Sequence, residues 1–168
     1  MLQPDEQQYL DNLPENQSQK IVKIYPYNSE IATIADNVIK KLHDKLPDAN
    51  IVFIGASALQ ISGQNDIDIS VLEPQSRHEN DLVLLNSLLG QQENNHWSWN
   101  EHGYEVSVYL ADPNTPTLKK QIDVFNKLKN NPELLKEYEK LKLDMDGKTY
   151  KEYQTAKYQF YNKILANN

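Results

Sequence analysis

The stretch Ile51–Leu72, IVFIGASALQISGQNDIDISVL, is an apolar run that breaks at Gly55, passes a turn of small residues and returns as a strand carrying Asp66 and Asp68. In a strand, positions two apart project to the same side, so both carboxylates leave one sheet face together. Like charges that close repel each other unless water solvates them freely or a cation sits between them. The pair is therefore either a divalent-metal site or the ordinary wet face that most antiparallel sheets present. Upstream, Val52, Phe53 and Ile54 read as a buried strand, and Gly55, Ala56, Ser57 and Ala58 predict the opening of a short helix with unpaired backbone N–H groups. Such a terminus favours anions, and Ser57 adds a hydroxyl donor. A phosphate cradle beside paired carboxylates is what metal-assisted transfer of a phosphorus group needs.

Composition narrows the partners. A chain of 168 residues with 39% hydrophobic content suits one well-buried core, read as a single domain over 21–168. Residues 1–20 are rich in Gln, Asn, Asp, Glu and Pro, and predict a flexible arm. Seventeen Lys and Arg against 24 Asp and Glu give a formal charge of −7, which argues against broad, sequence-independent contact with nucleic acid. With no cysteine, disulfides, thiolate zinc sites and cysteine nucleophiles are excluded together. No run approaches the roughly 20 apolar residues of a membrane span, and MLQPDEQQYL lacks the basic flank and apolar segment of a signal peptide. The expectation is a soluble cytoplasmic protein.

Around the opening stretch, Ile21–Tyr25 reads as a brief strand ended by Pro26. Asn28 and Ser29 precede a helix from about Glu30 to Leu46, with Ile31, Ile34, Ala35, Val38, Ile39 and Leu42 on one stripe. A second helix at roughly 79–89 stops at Gly90, a polar turn covers 91–95, and two short strands follow around Trp97–Trp99 and Tyr104–Leu110. In the latter, Val106, Val108 and Leu110 face one way while Glu105, Ser107 and Tyr109 face the other, so Glu105 is a candidate third carboxylate or simply an exposed Glu. Glu73 is odd-spaced from Asp68 and faces away. After Asp112-Pro113 the chain turns helical, with Pro132 in a first helical turn and Asp146-Gly147 between the last two helices. The fold class is α+β, a small mixed sheet flanked by helices with a helical C-terminal third. His43, His78, His96 and His102 lack metal-ligand spacing and read as structural or surface residues. Lys140 and Lys142 read as surface positions, and Tyr150, Tyr153, Tyr158 and Tyr161 as a packing stripe with wet hydroxyls.

Over about 21–166 the chain resembles the GrpB family, a group with the nucleotidyltransferase fold. The likeness lies in IYPYNSEIATIADNVIKKL, in the turn Gly55-Ala56-Ser57-Ala58, in Ile67-Asp68-Ile69, and in two C-terminal patterns. One is Asn131, Pro132, Glu133, Glu137, Tyr138, Leu141 and Lys142; the other is Tyr153, Lys157, Phe160 and Tyr161. The resemblance implies that Gly55, Ala56 and Ser57 hold nucleotide phosphates and that Asp66, Asp68 and Glu105 hold Mg²⁺ or Mn²⁺ and carry catalysis. It implies that Lys157 reaches a triphosphate as a point charge, although a solvated helix position accounts for that residue equally well. The chain departs from the family pattern at Ala56, at Phe53, at Glu105 and Ser107 where a His-x-His pair is common, and at Phe125 and Asn126 where an Arg-Asp pair is usual.

The activity so implied is binding of a nucleoside triphosphate with Mg²⁺ and transfer of a nucleoside monophosphate to a hydroxyl acceptor. The alternative is a relative without catalysis that binds a nucleotide or a partner, and a third reading is an acidic face docking a basic partner.

Overall fold

A computed structural model describes residues 1–92 and 94–166. The sheet belongs to one compact unit, residues 27–61 and 65–122. Helix α3 (Glu30–Lys45) leads into β1 (Asn50–Ile54), and β2 (Asp66–Leu72) pairs antiparallel with it. Helix α4 (His78–Leu89) ends at Gly90, whose φ of +101° suits glycine. A hairpin of β3 (His96–Glu101) and β4 (Tyr104–Ala111) follows, and β4 inserts beside β2 in parallel, giving the order β1-β2-β4-β3. The polar turn expected over 91–95 includes Glu93, which lies outside the described residues.

Period-2 alternation divides the sheet cleanly. Ile67, Ile69, Val71, Val106 and Val108 have no exposed surface and form one apolar face together with Trp97 and Leu110. Helices α3 and α4 pack on the sheet, and Ile31, Ile34, Ala35, Val38, Leu42 and Leu85 complete this core. The opposite face carries the even-numbered residues of β2 and the odd-numbered residues of β4, where Asp66, Asp68 and Glu105 lie.

Residues 1–26, 62–64 and 123–166 form the described part of a second compact unit. Helix α5 (Pro116–Lys129) carries the chain into it, and α6 (Pro132–Asp144) packs on α7 (Tyr150–Ala166). The segment expected as a strand at 21–25 makes only isolated bridges, Ile21 with Thr149 and Tyr25 with Gly63.

Residues 1–20 are helical over α1 (Pro4–Asp11) and α2 (Glu15–Ser18), where composition predicted a flexible arm. The Glu6 carboxylate accepts from the Gln3 N–H at 2.8 Å and from the Asn162 side chain at 2.7 Å, and Leu10 is 1% exposed. Both helices pack on α7. A single anchoring leucine and a closed helix start thus order a segment whose average composition is polar.

Lys142 also departs from expectation: it is 4% exposed. Its ammonium donates to the Tyr153 hydroxyl at 2.6 Å and lies 5.3 Å and 5.1 Å from the ring centroids of Tyr138 and Tyr153. The Tyr138 and Tyr161 hydroxyls are 3.0 Å apart in a buried contact, so Tyr153 and Tyr161 pack as expected while their hydroxyls are not wet. Lys140 is exposed as expected and pairs with Asp144 at 2.6 Å. Among the described residues no helix is long and apolar enough to cross a membrane.

Candidate functional site

The parallel register of β2 and β4 sets Asp66 opposite Glu105 and Asp68 opposite Ser107. In-register partners project to the same side, so the three carboxylates share one face. Asp66 and Asp68 are half-buried, and Glu105 is exposed.

Gly55 follows β1 with φ of +96°, and a Cβ built there would stand 3.8 Å from Asp68 Oδ2. The turn therefore runs directly alongside the Asp68 carboxylate. Residues 56–60 do not form the expected helix but successive turns: Leu59 N–H donates to Gly55 O at 3.1 Å and Gln60 N–H to Ser57 O at 3.2 Å. Gln60 then takes φ of +58°, which ends any right-handed helix. Ser57 is 5% exposed, and its hydroxyl donates to the backbone carbonyl of Asp66. This bond fixes the start of β2 to the glycine turn and engages the hydroxyl that the sequence offered to a phosphate. Ala56 is buried beneath the same turn.

Tyr109, also on this face, reports the local field. Burial raises its phenol above the ordinary range, the Asp68 charge adds to the rise, and Glu105 and Asp66 contribute less. A hydrogen bond with the Ser107 hydroxyl acts in the opposite sense. His96, across β3–β4 from Tyr109, stacks on it with centroids 4.4 Å apart and planes 4° from parallel. Its Nε2 lies 3.3 Å from Ser107 Oγ. The signal for this pair was present in the alternation of each strand, but the register that joins them was not.

The remaining candidates are placed as follows. Glu73 is 4% exposed and its Oε2 meets Arg77 at 3.2 Å, so it serves an internal ion pair. His102 Nδ1 lies 2.8 Å from Glu30, and His78 Nε2 lies 2.8 Å from the Glu73 carbonyl. Lys157 lies on α7 in the other unit, its ammonium 5.6 Å from the Tyr161 ring centroid.

The donor set suits one kind of metal binding. Among the described residues no three His, Cys, Asp or Glu side chains come together as a ready-made metal group. Mg²⁺, however, keeps several waters and is commonly held by one or two carboxylates plus phosphate oxygens. Asp66 and Asp68 fit that arrangement, an ion arriving with a nucleotide, and not a cage made by protein alone.

A family model described as GrpB protein matches residues 21–167. The chain is 28% identical over 129 residues to the UPF0157 protein of Vibrio cholerae serotype O1, spanning 72% of this chain and 68% of that one. The crystal structure of conserved protein GrpB from Enterococcus faecalis superposes with a TM-score of 0.58 at 14% identity, over 84% of this chain and 99% of that chain. That likeness is one of fold. The Cid1 poly(U) polymerase with MgGTP bound overlaps more loosely, with a TM-score of 0.39 at 15% identity over 67% of this chain and 43% of that chain.

Proposed function

The chain belongs to the GrpB family, and from that membership and the polar face of its sheet we propose a nucleotidyltransferase-like protein that binds a nucleoside triphosphate with Mg²⁺ and transfers a nucleoside monophosphate to a hydroxyl acceptor. The observation that supports it is the meeting of Asp66 and Glu105 in register with Asp68 set against Gly55.

In this reading Asp66 and Asp68 would hold the metal together with the phosphates. The absence of a side chain at Gly55 leaves the Asp68 carboxylate approachable, and the Ser57 hydroxyl keeps β2 in place. Glu105, exposed and opposite Asp66, takes the proton of the attacking hydroxyl. The acceptor oxygen bonds to the α-phosphorus as the bond to pyrophosphate breaks, so the chain's work is positioning and charge placement. Bound Mg²⁺ would stabilise the charge that develops on the leaving pyrophosphate.

Calorimetric titration of the four nucleoside triphosphates in Mn²⁺ tests the binding step, wild type against Asp68→Asn. At least one should bind in a metal-dependent way, and the variant should weaken it by about tenfold or more, roughly 1.4 kcal/mol. Absence of metal-dependent binding in the wild type, or equal binding by a folded Asp68→Asn, would refute the reading.

The engaged Ser57 hydroxyl favours a second reading, a binding relative without catalysis. It predicts nucleotide affinity that survives Asp66→Asn and no pyrophosphate release across an acceptor screen.

A further inference from the structure

Asp66, Asp68, Glu105 and Tyr109 bring only acidic side chains to the polar sheet face, yet a metal-bound triphosphate remains an anion. Among the described side chains that the strand register places on this face, His96 is the single group able to carry positive charge. It stands two strands over and two residues along from Asp68, about 12 Å at ordinary strand spacing and rise, a gap that a metal-held phosphate and the two side chains together can bridge. Its ring is not left to swing: the parallel stack on Tyr109 sets its plane, and Ser107 Oγ takes Nε2. The residue itself is exposed, which leaves the ring open to a ligand.

We propose that His96, in its imidazolium form, is a phosphate contact of this site and makes nucleotide binding stronger at acidic than at alkaline pH. This rests on the nucleotide-binding reading and goes beyond it by naming the residue that couples affinity to pH. The titratable group that faces the imidazole is Tyr109, its partner on β4; Glu105 lies four residues along that strand, and Asp66 and Asp68 share the same face on β2. Each is an acid, and among the described side chains that the strand register places on this face there is no second base. An imidazolium donates from both ring nitrogens, one to Ser107 and one to a phosphate oxygen. Proton loss removes the charge and one donor.

The test measures affinity for a non-hydrolysable nucleoside triphosphate analogue with Mg²⁺ at about pH 5.5 and about pH 8, either side of the ordinary histidine range. Wild type, His96→Gln and His96→Lys are compared, so that titration of the ligand itself is common to all three. Relative to His96→Gln, the wild type should bind about fivefold or more tighter at the lower pH and lose that advantage at the higher one. His96→Lys should keep it at both. By reciprocity, the bound analogue should raise the titration midpoint of the His96 imidazole proton signal in NMR spectra. Wild type and His96→Gln with the same pH dependence, or His96→Lys no tighter than His96→Gln at the higher pH, would overturn the assignment while leaving nucleotide binding intact. If the wild type binds no analogue at either pH, the nucleotide reading itself fails and the assignment falls with it.

Discussion

Gly55 and Ser57 work as a pair. With φ of +96°, Gly55 holds a conformation that an L side chain resists, although the Asp68 oxygen at 3.8 Å leaves room for a methyl group. Gly55→Ala should therefore destabilise through backbone strain, by about 1 to 2 kcal/mol in urea unfolding. Ser57→Ala leaves the Asp66 carbonyl without its donor inside a buried turn and should cost about 1 to 3 kcal/mol. Tyr109 offers a check on the acidic face. Its raised phenol keeps its proton in the folded chain at a pH where the unfolded chain releases it. The resulting stability is fully present below the ordinary value of 10.0 and is lost as pH rises through the folded value. Asp68→Asn removes a charge that opposes the phenolate, so Tyr109 should titrate at lower pH in the variant, read from phenolate absorbance. Asp66 and Asp68 were legible as one side of β2, and Glu105 as the polar side of β4, because strand parity assigns sides within each strand; that the two sides form one face needed the β2–β4 register. The use of the Ser57 hydroxyl was not, since it depends on how the turn folds back on β2.

At the level of elements, the decisive event is the insertion of β4 next to β2. Alternation revealed both strands, but β3 lies between them in the chain, and no local pattern states that the later strand of a hairpin will pair in parallel with an earlier one. Helix α3 was legible nearly to its ends because its apolar stripe is unbroken and Pro47 follows. Helices α6 and α7 were placed correctly while their interface was misread, as Lys142 has the helical spacing of a solvated residue and only the tyrosines of two helices together enclose it. Lys142→Ala should cost about 2 to 4 kcal/mol by thermal or denaturant unfolding. Lys142→Met, which fills the space without a charge, should be milder by about 2 kcal/mol. A loss equal to that of the alanine variant would show that the ammonium itself, and not the volume, holds the cluster. The Asn131 side chain accepts from Leu134 N–H at 3.1 Å at the start of α6, and Asn131→Ala should cost about 1 kcal/mol.

Across the whole molecule, the polar N-terminus is structural. Leu10→Ala should destabilise the helical unit by about 2 to 4 kcal/mol and speed amide exchange along α7, the helix on which α1 packs. An unchanged exchange pattern would mean that α1 contributes nothing there. Composition missed this because a 20-residue average hides one buried leucine and a carboxylate that closes the helix start. Both tryptophans of the chain lie on β3: Trp97 is 2% exposed, its indole N–H donating to Gly90 O at 2.9 Å, and Trp99 is half-buried. The helical unit holds tyrosines such as Tyr138, Tyr153 and Tyr161 but no indole. Light absorbed at the red edge of the indole band thus excites the sheet unit alone, giving the protein an intrinsic fluorophore for that half. Its emission colour would report melting of the sheet unit without any label.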